Sequence, residues 1–143
     1  MIKAIIVLWT LVLMGCNTVK VGASLEEKNY SLADIRAAII GISGESREVS
    51  QNGREYYSQY FSRKKEEKFN PLDSLERAYA HFLILGERRP YEIRVVVYIE
   101  KKTKRGYENL GEDRVWSKKI LEELKTRLSS RDGRNIIDDF RSF

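Results

Sequence analysis

The spacing of apolar residues changes along this chain, and each change predicts an element. From Ala4 to Met14 the run is continuous, with Thr10 its one polar residue. At 11 residues it falls short of the roughly 20 needed to cross a hydrocarbon core. Residues 17–30 then mix polar, small and charged side chains without a period and read as a tether. Ser31-Leu32-Ala33-Asp34 has the form of a capping box, with Ser31 as N-cap and an acid three residues on. Leu32, Ile35 and Ile39 follow at helical spacing up to Gly41, predicting a helix over 31–41.

The period shortens after Gly41. Asn52-Gly53 is a hairpin signal, because both turn positions favour positive φ. A two-residue turn there sets Val49 opposite Tyr56, with Tyr60 on the same face and Tyr57 and Phe61 on the other. Residues 54–62 also satisfy helical i,i+4 spacing (56/60 and 57/61), so strand and helix both remain open, the aromatic content favouring strand. A charged loop over 63–68 and the Asn70-Pro71 turn lead to a second hairpin, over about 75–86 and 91–102. Ile93, Val95, Val97 and Ile99 alternate with Glu92, Arg94, Val96 and Tyr98, as in a half-buried strand. An even-length connection places Ala80, Phe82 and Ile84 beside that row, and an odd one Tyr79, His81 and Leu83; the former buries the less polar set. After a polar loop, Asp113 caps a predicted helix over 114–130, with Trp116, Ile120, Leu121, Leu124 and Leu128 as its apolar stripe and Gly133 as its stop. The apolar tail at 136–140 is expected to dock on the sheet or on a partner.

The expected fold is therefore α+β, in the order α-β-β-β-β-α: a two-layer sandwich with two helices on one face of a four-stranded antiparallel sheet. Residues 31–143 form its single domain.

The apolar run at the N-terminus ends Leu13-Met14-Gly15-Cys16, and Cys16 is the chain's single cysteine. With Lys3 ahead of it, the segment has the charged start and short apolar core of an export signal. It resembles the lipobox of bacterial lipoprotein precursors, in which Leu, a small or aliphatic residue, Gly or Ala, and an invariant Cys follow in order. Leu13, Gly15 and Cys16 match, whereas Met14 is bulkier than the usual occupant. The resemblance implies cleavage between Gly15 and Cys16, removal of residues 1–15, diacylglycerol on the Cys16 thiol, and a lipidated tether over 16–30. Asn17 in place of an aspartate implies the outer membrane. The predicted element order also resembles the small outer-membrane lipoproteins of lipopolysaccharide assembly, a likeness of topology with no motif behind it.

Composition adds bounds rather than a function. Loss of residues 1–15 removes only Lys3 from the charged set, leaving 128 residues of net charge +4, enough for one core without disulfides. An exported chain of this charge points to anionic envelope partners, protein or lipid and polymer, and away from nucleic acid. His81 is the single histidine, so no conventional zinc site is available. Gly41-Ile42-Ser43-Gly44-Glu45 fails the nucleophile-elbow pattern at its last position. The adjacent Asp138 and Asp139 do not face one another as paired catalytic carboxylates must. No catalytic residue or cofactor is expected beyond the lipid on Cys16.

Two successive hairpins bring the 63–68 loop and the 101–105 run to one end of the sheet. Arg63, Lys64, Lys65, Lys68, Lys101, Lys102, Lys104 and Arg105 would gather there as contacts for an anionic partner. The tether is expected to join at the opposite, Arg88/Arg89 end, so that this cluster points away from the anchoring membrane. The function expected is that of an outer-membrane-anchored, non-catalytic accessory or adaptor in envelope assembly or transport. A small envelope hydrolase acting on glycan or lipid, or a purely structural tether, are the alternatives.

Overall fold

A computed structural model describes residues 22–25, 30–64 and 68–138, with side chains up to Ser130. The elements run β1 (Ala23–Leu25), α1 (Leu32–Ser43), β2 (Glu48–Val49), β3 (Glu55–Tyr57), β4 (Glu76–Leu85), β5 (Glu92–Thr103), β6 (Gly106–Glu112) and α2 (Arg114–Asp138). The α+β class and the two helices stand. The sheet, however, is six-stranded and antiparallel, not four-stranded. The extra strands are β1, within the stretch read as a tether, and β6, within the stretch read as a polar loop.

Local signals explain most elements. Ser31 caps α1, its hydroxyl accepting from the Asp34 amide at 3.0 Å and donating to the Asp34 carboxylate. Across the Asn52-Gly53 turn Val49 pairs with Tyr56, and Gly53 has φ of 60°. Arg36 of α1 clasps this turn, donating to the carbonyls of Gly53 and Asn52 at 2.9 Å each. In the second hairpin Leu85 pairs with Glu92, so the connection is even in length. Ala80, Phe82 and Ile84 therefore share the core with Ile93, Val95 and Val97, against Ile35, Ala38 and Ile39 of α1 and Ile120, Leu121, Leu124 and Leu128 of α2.

Residues 54–62 are extended rather than helical, but the alternation breaks within them. Tyr57 pairs with His81, whereas Phe61 bridges Ala78: four steps along one chain match three along the other. This bulge at Ser58–Tyr60 inverts the facing of the residues beyond it. Phe61 accordingly turns to the core side, where its ring lies 5.6 Å from Trp116. Tyr60 turns outward, 5.8 Å from Tyr79. Both faces are the reverse of the expected ones.

The edge of β5 away from β4 is covered in three pieces. β1 pairs along Ile93–Val95 and β6 along Tyr98–Thr103. Between them, the first turn of α2 closes the edge: the Asp113 amide donates to the Val97 carbonyl at 2.8 Å, and the Val97 amide donates to the Ser117 hydroxyl at 2.9 Å. Ser58 plays the matching part at the bulge, its hydroxyl accepting from the Ala80 amide at 2.9 Å. Ala80 and Val97 are cross-strand partners, so the two buried serines flank one residue pair from opposite sides. A buried N–H left without an acceptor is costly, which accounts for serine on two otherwise apolar surfaces.

The helix at the C-terminal end passes through Gly133 and runs to Asp138, beyond the predicted stop. Glycine in a helix interior costs only about 1 kcal/mol relative to alanine. The expected docking of the 136–140 tail falls where side chains are not described.

Candidate functional site: the basic end of the sheet

The expected convergence of charged segments is present. Glu76, at the start of β4, pairs with Lys101, and the Lys102 amide donates to the Leu75 carbonyl at 2.9 Å. The segment after Phe61 and the β5–β6 turn thus meet at one end. Lys64, Lys68, Lys101, Lys104 and Arg105 are exposed there, and among the described residues they form no ion pair. Lys65 lies outside the described residues, as do Gly15 and Cys16 with the signal segment. Glu108 is Lys101's partner across β5 and β6 and is the acid set among these cations without an ion pair of its own among the described residues.

Two of the eight expected contact residues are instead committed internally. Arg63 forms ion pairs with Glu76, at 2.6 Å, and with Asp113. Asp113 also accepts from the amides of Val115 and Trp116 at 3.0 Å each, capping α2. Burial alone would raise the Asp113 carboxyl's pKa; the Trp116 amide and the Arg63 guanidinium outweigh it and hold the group below its ordinary value. Arg63 is therefore a tie between β4 and α2. Lys102 spans to the neighbouring turn, donating to the Leu72 carbonyl at 3.0 Å and standing 3.6 Å from Asp73.

That turn, residues 70–75, is fastened at successive points by groups on the sheet. Arg77 donates to the Pro71 carbonyl at 3.1 Å, Lys102 to Leu72 and the Tyr107 hydroxyl to the Ser74 carbonyl at 2.7 Å. The Arg77 guanidinium is itself fixed, 3.7 Å from the Tyr60 ring centroid, 3.5 Å from that of Tyr107, and 2.7 Å from Glu100. Within the turn, the Ser74 amide and hydroxyl both donate to the Asn70 carbonyl. Sequence reasoning misses this platform because its members are scattered over four segments, each ordinary by itself.

The outer sheet face carries a second unforeseen group. Tyr57 stacks on His81 with centroids 4.3 Å apart, and Tyr79 lies between Tyr60 and Tyr98 at 5.8 and 5.5 Å. Arg47 covers the Tyr60 ring at 4.1 Å. His81 Nε2 is buried, 3.6 Å from Glu55 and without a hydrogen-bond partner. Burial lowers the histidine's pKa, opposed by Glu55. On the helix side, a groove of about 260 Å³ is lined chiefly by Ile42, Phe61, Phe82, Trp116 and Ile120, together with Ser58 of the bulge.

Among the described residues there is no group of three or more His, Cys, Asp or Glu side chains placed to hold a metal ion, and no helix long and apolar enough to cross a membrane. Comparison with protein-family models, with curated proteins and with solved structures finds no match to the chain.

Proposed function

We propose that the protein is a lipid-anchored component of a bacterial cell envelope, held through Cys16 at the outer membrane, acting as a non-catalytic adaptor whose basic end meets an anionic partner. The observation that carries this reading is the convergence at one end of the sheet of Lys64, Lys68, Lys101, Lys104 and Arg105, exposed and without an ion pair among the described residues. The lipobox resemblance at Leu13-Met14-Gly15-Cys16 supports the anchor. Two or more acyl chains hold a protein durably, where one does so only marginally. The described chain begins at Gly22, which lies against Val95 and Val96, and runs along the edge of β5 as β1.

Metabolic labelling with a fatty-acid analogue tests the anchor: Cys16→Ala is expected to lose the label and remain unprocessed, and a variant labelled and cleaved as before refutes it. A photocrosslinking residue at Lys104 in cells tests the basic end. Crosslinks to an envelope component should disappear when Lys101 and Arg105 become glutamine; crosslinks indifferent to those charges refute the anionic-partner reading.

A further inference from the structure

Leu72 and Leu75 are 72% and 79% exposed, although they belong to a turn fastened to the sheet at several points. We propose that this turn is a membrane-seating tip: Leu72 and Leu75 enter the interface of an anionic phospholipid bilayer while Lys64, Lys68, Lys101, Lys104 and Arg105 bind its headgroups. The inference rests on the anionic-partner reading of the basic end and names the partner as lipid.

The backbone fixes where the two leucines point. The amides of Asp73 and Ser74 both donate to the Asn70 carbonyl, at 3.2 and 3.0 Å, which makes residues 70–74 a single helical turn. Leu72 lies within that turn and Leu75 follows directly after it, where the Lys102 amide holds the Leu75 carbonyl. The carbonyls of Pro71, Leu72, Ser74 and Leu75 are all taken by donors from the sheet, namely Arg77, Lys102, Tyr107 and the Lys102 amide. Two apolar side chains are thus held out in water by a platform that leaves the backbone little freedom to turn them inward.

The surroundings decide between partners. The apolar residues of the tip are leucines, 72% and 79% exposed, a type under-represented among the residues that dominate protein–protein binding, where Trp, Tyr and Arg prevail. Leucine ringed by lysine and arginine is instead the composition of segments lying in a membrane interface. Exposed lysines gain from an anionic leaflet without needing a matched geometry. By sequence, eight basic residues of the 63–68 and 101–105 segments stand against Glu66 and Glu67; among the described acids at this end, Glu76 is paired with Arg63 and Asp73 with Lys102, which leaves Glu108.

The test uses the full chain, purified in detergent and reconstituted into vesicles, with an environment-sensitive fluorescent amino acid at position 75 or, for comparison, at position 52 at the other end of the sheet. On vesicles of phosphatidylethanolamine and phosphatidylglycerol the probe at 75 should shift to the blue and be quenched by nitroxides in the acyl chains, while the probe at 52 should do neither. Phosphatidylcholine vesicles, raised salt, or Lys101→Gln with Lys104→Gln and Arg105→Gln should each abolish the shift. A probe at 75 that stays in water on the anionic vesicles overturns the proposal, as does a shift equal at 52. Charge-dependent crosslinks to a protein at Lys104 would then leave the adaptor reading standing without the lipid one.

Discussion

Replacing Ser117 with alanine removes one oxygen from a fully buried position and leaves the Val97 amide facing carbon. That amide points away from β4 and has no other strand beside it, since β1 pairs with β5 no further than Val95 and β6 no nearer than Tyr98. Water cannot replace the lost acceptor at a site buried on every side. The expected cost is that of an orphaned buried donor, about 1–3 kcal/mol. Alanine's better helix propensity returns at most about 0.5 kcal/mol. For a domain of this size, between the two ranges for smaller and larger domains, each 1 kcal/mol moves Tm by about 4 °C, so a net loss of about 0.5–2.5 kcal/mol should lower the melting temperature by roughly 2–10 °C. Thermal unfolding followed by circular dichroism measures it, with Ser130→Ala on the exposed face of α2 as a control expected to change stability by less than about 0.5 kcal/mol. A Ser117→Ala protein that melts with the control would refute the claim that the hydroxyl completes the edge of β5.

Two further outcomes are expected on similar grounds. Gly22 has φ of 83°, and a Cβ there would stand 2.6 Å from the Val95 carbonyl oxygen; Gly22→Ala should displace β1, lower stability by at least about 1–2 kcal/mol and expose Ile93–Val95 to amide exchange, and unchanged protection there would contradict the β1 pairing. His81 is held neutral by burial against the opposing pull of Glu55, so below its ordinary value of 6.5 the unfolded chain takes up a proton that the folded one resists. Stability should therefore decline as pH falls through and below that value, and His81→Phe should flatten this part of the Tm–pH profile; identical slopes in both proteins would show the ring to be free to ionise in the fold.

What the sequence disclosed and what it hid divide along physical lines. The cap at Ser31, the Asn52-Gly53 turn and the alternation through Ile93–Ile99 are local signals, and each led to the right element and register. Loop parity selected the Ala80, Phe82 and Ile84 face for the core, and the order of two successive hairpins placed the start of β4 and the 101–105 run at one end. β6 was hidden because Gly106–Glu112 has no alternating pattern; the edge of β5 imposes its extended form. β1 has only three residues, too few to show a period. The bulge at Ser58–Tyr60 left no mark in composition, yet it reversed the faces of Tyr60 and Phe61. Arg63 read as one more surface cation because its partners, Glu76 and Asp113, are 13 and 50 residues away.

The pair Ala80 and Val97, flanked by serines and by no strand on either side, also sets how the sheet can come apart. On one side of it lie β1, β2 and β3, on the other β6 and the Phe61 bridge, and only β4 and β5 run through both. Opening one half breaks no ladder bond in the other, so the two halves form separate units for local unfolding. Under native-state hydrogen exchange, amides bonded to β1 and β3 should form one cooperative group and those bonded to β6 another. The amides of Ala80 and Val97, bonded only to serine hydroxyls, should report whichever half opens more readily at its own serine.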